Sequence, residues 1–341
     1  MKIMKAVGLL KYLPIENPES LIDATIEKPV ASGRHMVVKV LSVGVNPVDT
    51  KMRSPKEKIE PKLKVLGWDA SGIVESLGAE CSLFKVGDEV FYSGSVFSAG
   101  SNSEYNLIDE RVVAKKPKTI DHSEASSFPL VSLTAYEGLF DRMKISENGK
   151  DAGKSILIIG GAGGVGSIAI QLAKKIAGLK VIATASRGET IKWCKDMGAD
   201  FTIDHSKDMP AQLKELGFES VDYIFCLNNT DKYFNVMSEM IAPEGHIASI
   251  VELKNAVALG RLMMKSASFS YVFMTTRLMF NTKTVIRQHE ILAKIAELID
   301  SKILTKIVTV KFEKINAENL RKAHKILESG TSIGKITLSN W

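Results

Sequence analysis

Hydrophobic and polar positions alternate in short runs over the first 110 residues. The segments HMVVKVLSVGVN, ASGIVESLG, DEVFYSG and SEYNLID are β-branched or alternating, and glycine, proline, asparagine or aspartate bounds each of them. This pattern predicts many short strands and no long helix. From about residue 125 the pattern changes. Apolar runs such as SILIIGG, KVIATAS, DFTID, VDYIFCL and GHIASIV now alternate with segments of helical period, among them GGVGSIAIQLAKKIA, ETIKWCKDMG and KYFNVMSEMI. Strands separated by helices of roughly 10 to 15 residues imply parallel βαβ units, whose right-handed crossovers place helices on both faces of one sheet. The predicted class is therefore α/β, a β-rich part followed by a doubly wound parallel sheet. Near the end, QHEILAKIAELIDSKIL carries Ile291, Leu292, Ile295, Leu298 and Ile299 at helical spacing and predicts a packing helix, while GKITL predicts one more strand that can return to the first domain.

Two apolar stretches test this reading. MKIMKAVGLLKYL is interrupted by Lys5 and Lys11 and is followed by no small-residue cleavage site, so a first strand is expected rather than a signal peptide. Ser155 to Ala173 is free of charge and close to transmembrane length, but its central glycine cluster suits a strand, a turn and a helix better than a membrane span.

That cluster, LIIGGAGGVGS, places five glycines between positions 160 and 166, although glycine loses the most backbone entropy on folding. The spacing Gly161-x-Gly163-x-x-Gly166, after a buried-strand run and before a helix, is the dinucleotide fingerprint in its required context. A Cβ near Gly163 would hold the backbone away from a pyrophosphate, and the helix N-terminus offers unpaired N–H groups and a favourable dipole. Gly161, Gly163, Gly164, Val165 and Gly166 are thus the expected phosphate-binding residues, with Gly166 also letting helix and strand approach. The second strand should end in Asp or Glu for NAD, but here it runs into Ala185, Ser186 and Arg187. A hydroxyl and a guanidinium suit a 2′-phosphate, so NADP(H) is the expected cofactor. The alternative is a solvated Arg187, with Glu189 taking the ribose.

Composition narrows the function further. A chain of 341 residues exceeds one ordinary core and suggests two domains. The net charge of +6 is spread without a basic block, which favours a small anionic ligand and speaks against nucleic acid as a partner; no membrane partner is expected either. Cys81, Cys194 and Cys226 form no CxxC pair, so neither a disulfide framework nor a clustered thiolate zinc site is expected; they read as packing residues in a reducing, cytoplasmic setting. The absence of a GxSxG elbow and of an HExxH pair argues against hydrolase and metalloprotease chemistry.

The order of parts, GVNPVDTKMR, GWDASGIVESLG, GDEVF, LVSLTAYEGL and then GGAGGVG, resembles the medium-chain dehydrogenase/reductase superfamily over essentially the whole length, close to its quinone oxidoreductase-like branch and to zinc-type alcohol dehydrogenase-like proteins. The resemblance implies a GroES-like catalytic domain over residues 1–125 and 284–341, an inserted Rossmann NADP-binding domain over 126–283, and an active site in the cleft between them. It also implies where a catalytic zinc would be bound. The matching positions hold Asn46, Trp68 and Leu130, and none of these replaces a thiolate or an imidazole. The four-cysteine structural lobe is missing as well, so no metal is expected. Without a Lewis acid, oxidation of a simple alcohol is difficult. A quinone or an α,β-unsaturated carbonyl accepts hydride more readily, because a few aimed donors stabilise the charge that reaches its oxygen.

The expected catalytic residues are Asn46, aiming its amide at the substrate oxygen or the nicotinamide ribose, Asp49, orienting its neighbours, and Tyr92, which either donates a phenolic proton or packs one face of a barrel strand. Thr134 and Tyr136 fall on the helix that the family places at the nicotinamide end. His205 follows the third parallel strand, where relatives put a side chain near the 2′-phosphate, and Asn228 ends the fourth, at the edge where such sheets bind ligands. Lys335 either approaches the cofactor or is a solvated edge-strand lysine. Phe273, Met274, Met279 and Phe280 read as core or subunit contact rather than the alternative, the roof of an apolar acceptor pocket, and with the resemblance they suggest a homodimer. The expected activity is zinc-independent, NADPH-dependent reduction of a quinone or activated carbonyl; the rivals are a zinc-dependent alcohol dehydrogenase and a non-catalytic NADPH-binding sensor or RNA-associated protein.

Overall fold

The computed structural model describes residues 2–96 and 98–341, which divide into two compact units: Met1–Leu130 with Thr275–Trp341, and Val131–Met274. Residues 126–130 and 275–283, expected with the nucleotide-binding part, thus belong to the first unit. The chain begins with strands β1 (Ile3–Tyr12), β2 (Ile22–Glu27) and β3 (His35–Val45), helix α1 (Pro47–Arg53), and strands β4 (Lys56–Val65), β5 (Asp69–Leu77), β6 (Glu89–Ser93), β7 (Tyr105–Asp109) and β8 (Val113–Lys115). The short helix α2 (His122–Ala125) and α3 (Pro129–Tyr136) lead into the second unit. There follow β9 (Ser155–Ile159), α4 (Gly164–Lys175), β10 (Lys180–Thr184), α5 (Gly188–Asp196), β11 (Phe201–Ile203), α6 (Met209–Glu215), β12 (Val221–Cys226), α7 (Thr230–Met240), β13 (Ile241–Ser249) and β14 (Ser268–Tyr271). The first unit is completed by α8 (Thr276–Met279), α9 (Arg287–Asp300), β15 (Val308–Phe312), α10 (Ala317–Glu328) and β16 (Lys335–Ser339).

In the first unit a sheet runs in the order β15-β16-β3-β5-β6-β8, with β7 also paired to β3, and a smaller sheet runs β2-β1-β4. The core between them is filled by alternating apolar positions of the strands, among them Val38, Val40, Val43, Val90, Ile336 and Leu338. Register fixes which ends meet. Gly44 lies opposite Asp69 and Thr337, and Val45 opposite Ile336, so the end of β3, the start of β5 and the start of β16 share one edge. Strand β16 returns to the first unit as expected, but it lies between β15 and β3, and Lys335 is only 3% exposed. The solvated edge-strand reading of Lys335 is therefore corrected.

The sequence pattern also missed two elements here. Asn46–Pro47 reads as an extended turn, yet Asn46 is the extended N-cap of α1, with Pro47 in its first turn, where a fixed φ and a missing N–H cost nothing. Strand β4 escapes the alternation rule because it is rich in charge and carries Pro61; it lies at the edge of its sheet, where proline is tolerated.

In the second unit six strands follow the order β11-β10-β9-β12-β13-β14, every neighbouring pair parallel. This is the doubly wound arrangement predicted from the alternation, with β9 buried at every position. Its order reverses between β9 and β12, which opens a crevice at the carboxyl ends of those strands. The edge strand β14 and the residues beside it leave Met263, Met264, Tyr271 and Phe273 exposed. Among the described residues no helix is long and apolar enough to cross a membrane.

Candidate functional site

The second unit gathers most of the expected nucleotide-binding residues on one edge. Gly161, Gly163, Gly164, Val165 and Gly166 follow β9, Ser186 and Arg187 follow β10, His205 follows β11 and Asn228 follows β12. Main-chain bonds hold these neighbouring ends together. The Gly160 N–H donates to the Thr184 hydroxyl at 3.0 Å, that of Ala185 to the Ile203 carbonyl at 2.9 Å, and that of Leu227 to the Ile159 carbonyl at 3.0 Å.

The glycines of the fingerprint divide by role. A Cβ on Gly161 would lie 2.8 Å from the Ala183 Cβ and 3.0 Å from the Cys194 sulfur, and one on Gly166 would lie 2.4 Å from the Gly161 carbonyl oxygen. These two are glycines because the turn and the helix are pressed together. At Gly163 the nearest atom to an added Cβ would be 3.8 Å away, so packing does not explain it. Gly163 is the N-cap of α4, and the N–H groups of the first helical turn have no partner within the helix. An open approach to unpaired donors at a helix N-terminus is the cradle that a pyrophosphate requires, so the residues present fit a dinucleotide.

Beyond the cradle, Ser186 is exposed, and Arg187 pairs with Glu189 at 2.9 Å with both side chains well exposed; such a pair is weak and open to competition from an anion. His205 keeps Nδ1 buried without a partner, and burial holds the imidazole below its ordinary pKa, with Lys232 pushing the same way and Asp204 opposing. It is neutral at pH 7 and offers hydrogen bonds rather than charge. It lines a groove of about 650 Å³ with Lys207, Lys214 and Lys232. Asn228 is exposed, and its carbonyl accepts from the Cys226 thiol. Thr134 and Tyr136 come from α3 and are both buried.

In the first unit, Asn46, Asp49, Asp69 and Lys335 form a buried polar cluster, each 3% exposed or less. Asp49 accepts the Asn46 backbone N–H at 2.7 Å and so caps α1 from within. The Asn46 side chain turns the other way, its Nδ2 donating to Asp69 Oδ2 at 2.9 Å and its Oδ1 accepting from the Lys335 ammonium at 2.5 Å. Asp69 also pairs with Lys335 at 3.1 Å and accepts the Leu130 backbone N–H at 2.8 Å. At its far end α1 is held by buried Arg53, which donates to the Leu13 carbonyl and pairs with Glu328 of α10. Asp69 went unnoticed in the sequence. Its signal was an acid at the head of an inward-facing strand with no local partner.

Burial raises the Asp49 carboxyl to about 7; the Asn46 N–H and the Lys335 ammonium pull it down, and the Asp69 carboxylate pushes it further up. Tyr92 departs from expectation. It is fully buried, and its hydroxyl donates to Asn106 Oδ1 at 3.0 Å. Burial alone raises its phenol far above the ordinary range. With its proton already directed inward, Tyr92 packs the core, and the phenolic-donor role is corrected.

The positions that match zinc ligands by resemblance do not fit the metal. Trp68 is buried and offers an indole N–H, which donates only; Leu130 contributes a backbone N–H; the Asn46 amide is engaged by a carboxylate and an ammonium.

Two predictions follow from this geometry. Gly166→Ala should destabilise the fold by about 2 kcal/mol or more, as overpacking does, whereas Gly163→Ala should cost no more than about 1 kcal/mol yet weaken dinucleotide binding at least tenfold; denaturant melts and calorimetric titration separate the two. Asp49 is protonated more readily folded than unfolded, so its contribution to stability is complete below pH 3.8 and is lost as pH rises to about 7. Asp49→Asn should therefore gain stability relative to wild type across that window, read from melting temperatures, and a parallel pH profile for the two proteins would refute the assignment.

Comparison with known proteins agrees with the fold. Residues 32–118 match the alcohol dehydrogenase GroES-like domain, and residues 164–288 match the zinc-binding dehydrogenase family. The chain is 45% identical over 338 residues to a zinc-type alcohol dehydrogenase-like protein of Staphylococcus epidermidis, covering 98% of this chain and 99% of the relative. It superposes with TM-score 0.95 and 42% identity on a crystal structure of a Rhizobium etli protein described as of the zinc-dependent alcohol dehydrogenase kind, covering 100% of this chain and 99% of that one. An NADPH-dependent alkenal/one oxidoreductase of Arabidopsis thaliana is 35% identical over 227 residues, 64% of this chain and 56% of that protein. The chain belongs to the medium-chain dehydrogenase/reductase superfamily and is an oxidoreductase of that family, which uses a nicotinamide cofactor.

Proposed function

We propose that the protein is a zinc-independent, NADPH-dependent reductase of small quinones or α,β-unsaturated carbonyls. The observation that carries this reading is the buried cluster of Asn46, Asp69 and Lys335, in which an amide held by an ion pair stands at one of the positions that match zinc ligands by resemblance, with Trp68 and Leu130 at the others. Residues of this kind do not suit the zinc that would generate an alkoxide, but the site holds an amide N–H donor in fixed orientation, which is what a developing enolate or hydroquinone oxygen needs. The Arabidopsis relative, described as acting on alkenals and enones with NADPH, supports the same substrate class.

In this reading the main-chain N–H groups of Gly164, Val165 and Gly166 in the first turn of α4 hold the pyrophosphate, since those of Gly161 and Gly163 already donate to the Thr184 and Gly160 carbonyls; Ser186 and Arg187 hold the 2′-phosphate, His205 and Asn228 border the nucleotide, and Thr134 serves the nicotinamide end. The bound cofactor supplies a hydride. Asn46 donates to the substrate oxygen as charge arrives there, Asp49 fixes the backbone from which Asn46 projects, and the proton that completes reduction comes from water. Free thiols at all three cysteines fit a cytoplasmic setting.

Consumption of NADPH should be seen with 2-alkenals or quinones and not with saturated aldehydes. NADPH should bind at least tenfold more tightly than NADH, and Arg187→Glu should abolish that margin, since a charge-assisted bond is worth about 1.5–3 kcal/mol. Equal binding of the two cofactors by the wild type would sink the NADPH assignment. The exposed edge of β14, with Met263, Met264, Tyr271 and Phe273 beside it, supports a homodimer formed through this edge. Light scattering should give twice the chain mass for the wild type and the monomer mass for Tyr271→Lys with Phe273→Glu; a monomeric wild type would contradict it.

A further inference from the structure

We propose that Trp68 and Gly94 form a second substrate contact in the first unit, an indole donor beside a glycine notch, and that this contact favours acceptors with two oxygens, quinones, over 2-alkenals with one. The proposal deepens the reductase reading above and rests on it. Trp68 is 3% exposed and belongs to the apolar cluster that includes Leu66, Tyr92 and Ile108, yet its Nε1–H has no acceptor among the described residues. Tyr92 in the same cluster does have one, Asn106. A buried donor left unpaired is costly, and indoles are ordinarily placed where the N–H finds a partner. Core packing alone therefore does not explain this tryptophan, since an apolar ring would pack without that cost.

Gly94 supplies the space. Its backbone is outside the left-handed region, and an added Cβ would meet only Ile108 Cδ1 at 3.6 Å, Ser98 Oγ at 3.8 Å and Trp68 Cδ1 at 3.9 Å, all ordinary contacts. Neither conformation nor crowding demands a glycine here, in contrast to Gly161 and Gly166. What the missing side chain leaves is room against the edge of the indole, because Cδ1 is bonded to Nε1. The Gly94 N–H donates to the Trp68 carbonyl at 3.0 Å and fixes the pair, and exposed Ser98 stands at the rim. The notch lies at the sheet edge that carries Asn46: Asp69, which follows Trp68, accepts the Asn46 amide and pairs across the strands with Ser93, which precedes Gly94.

An indole N–H donates and cannot accept, so the notch takes an oxygen. The Asn46 amide serves one carbonyl oxygen. A quinone brings a second to Trp68, whereas a 2-alkenal leaves one buried donor unpaired, which is how a polar site rejects an analogue lacking the matching group. In the reaction the quinone gains a hydride from NADPH and a proton from water, giving hydroquinone and NADP⁺, and the charge that builds on oxygen meets both donors.

The test uses the full chain. Without NADPH, duroquinone, which has no free ring position for thiols or amines to attack, should move the indole N–H resonance of Trp68 in NMR spectra of the isotope-labelled wild type; an unmoved resonance overturns the contact. With NADPH, Trp68→Phe should lower the ratio of kcat/KM for duroquinone to that for a 2-alkenal by at least about tenfold, and equal losses on both substrates overturn the selection. Gly94→Ala should melt with the wild type and raise KM for duroquinone by at least about threefold. An unchanged KM overturns the notch, as does a Gly94→Ala that melts well below the wild type, because the glycine would then serve packing. The resonance is read on the wild type, so the contact stays testable if Trp68→Phe misfolds. A wild type that shows the shift but oxidises NADPH with no acceptor would sink the reductase reading and leave the contact standing; one that reduces both substrates without the shift does the reverse.

Discussion

A single buried carboxylate ties the first unit together. Asp69 is completely inaccessible, and a charge in such a place is tolerable only when each of its lone pairs meets a donor. The donors come from the Asn46 side chain, the Leu130 backbone and Lys335, segments that the chain brings together only by folding β3, β5 and β16 into one sheet. Removing any one partner would leave a buried ion short of a bond, so the cluster specifies the register of those strands as firmly as their apolar faces do. The Asn46 side chain, the cap of α1 and the last strand all take their positions from it.

The glycine turn of the second unit rests on a different constraint. Its backbone must pass between β10, α5 and its own helix, which excludes a Cβ at Gly161 and Gly166, and must also remain open on one side, which is the condition met at Gly163. One motif therefore combines packing demands with a binding demand. The same short sequence serves the fold at two positions and leaves the backbone open at a third.

Much of this was legible in the sequence because the second unit is assembled locally. Each of β9 to β12 is followed within a few residues by a helix, so the change of period along the chain reports the βαβ units directly, and the glycine fingerprint falls at the strand end where the sheet needs it. The first unit is built from distant pairings. Asp69 and Lys335 are 266 positions apart, and no local pattern announces that a lysine at the head of an apolar strand will meet an aspartate at the head of another. Tyr92 misled for a related reason. The strand pattern left open whether its phenol served a substrate or packed the core, and Phe91 and Tyr92 are both fully buried. Asn46 was identified from its motif. Its orientation followed only from Lys335 and Asp69.

The account turns on a hydride passing from a nicotinamide to carbon without help from a metal. The most direct measurement is to supply NADPH carrying deuterium at the transferable position of its nicotinamide ring to chelator-treated protein, together with a 2-alkenal, and to locate the label in the product by NMR. The account predicts deuterium at the β-carbon of the saturated aldehyde, at an undiminished rate after metal removal. Label transfer that disappears on chelation and returns with zinc, or product that carries no label, would contradict it.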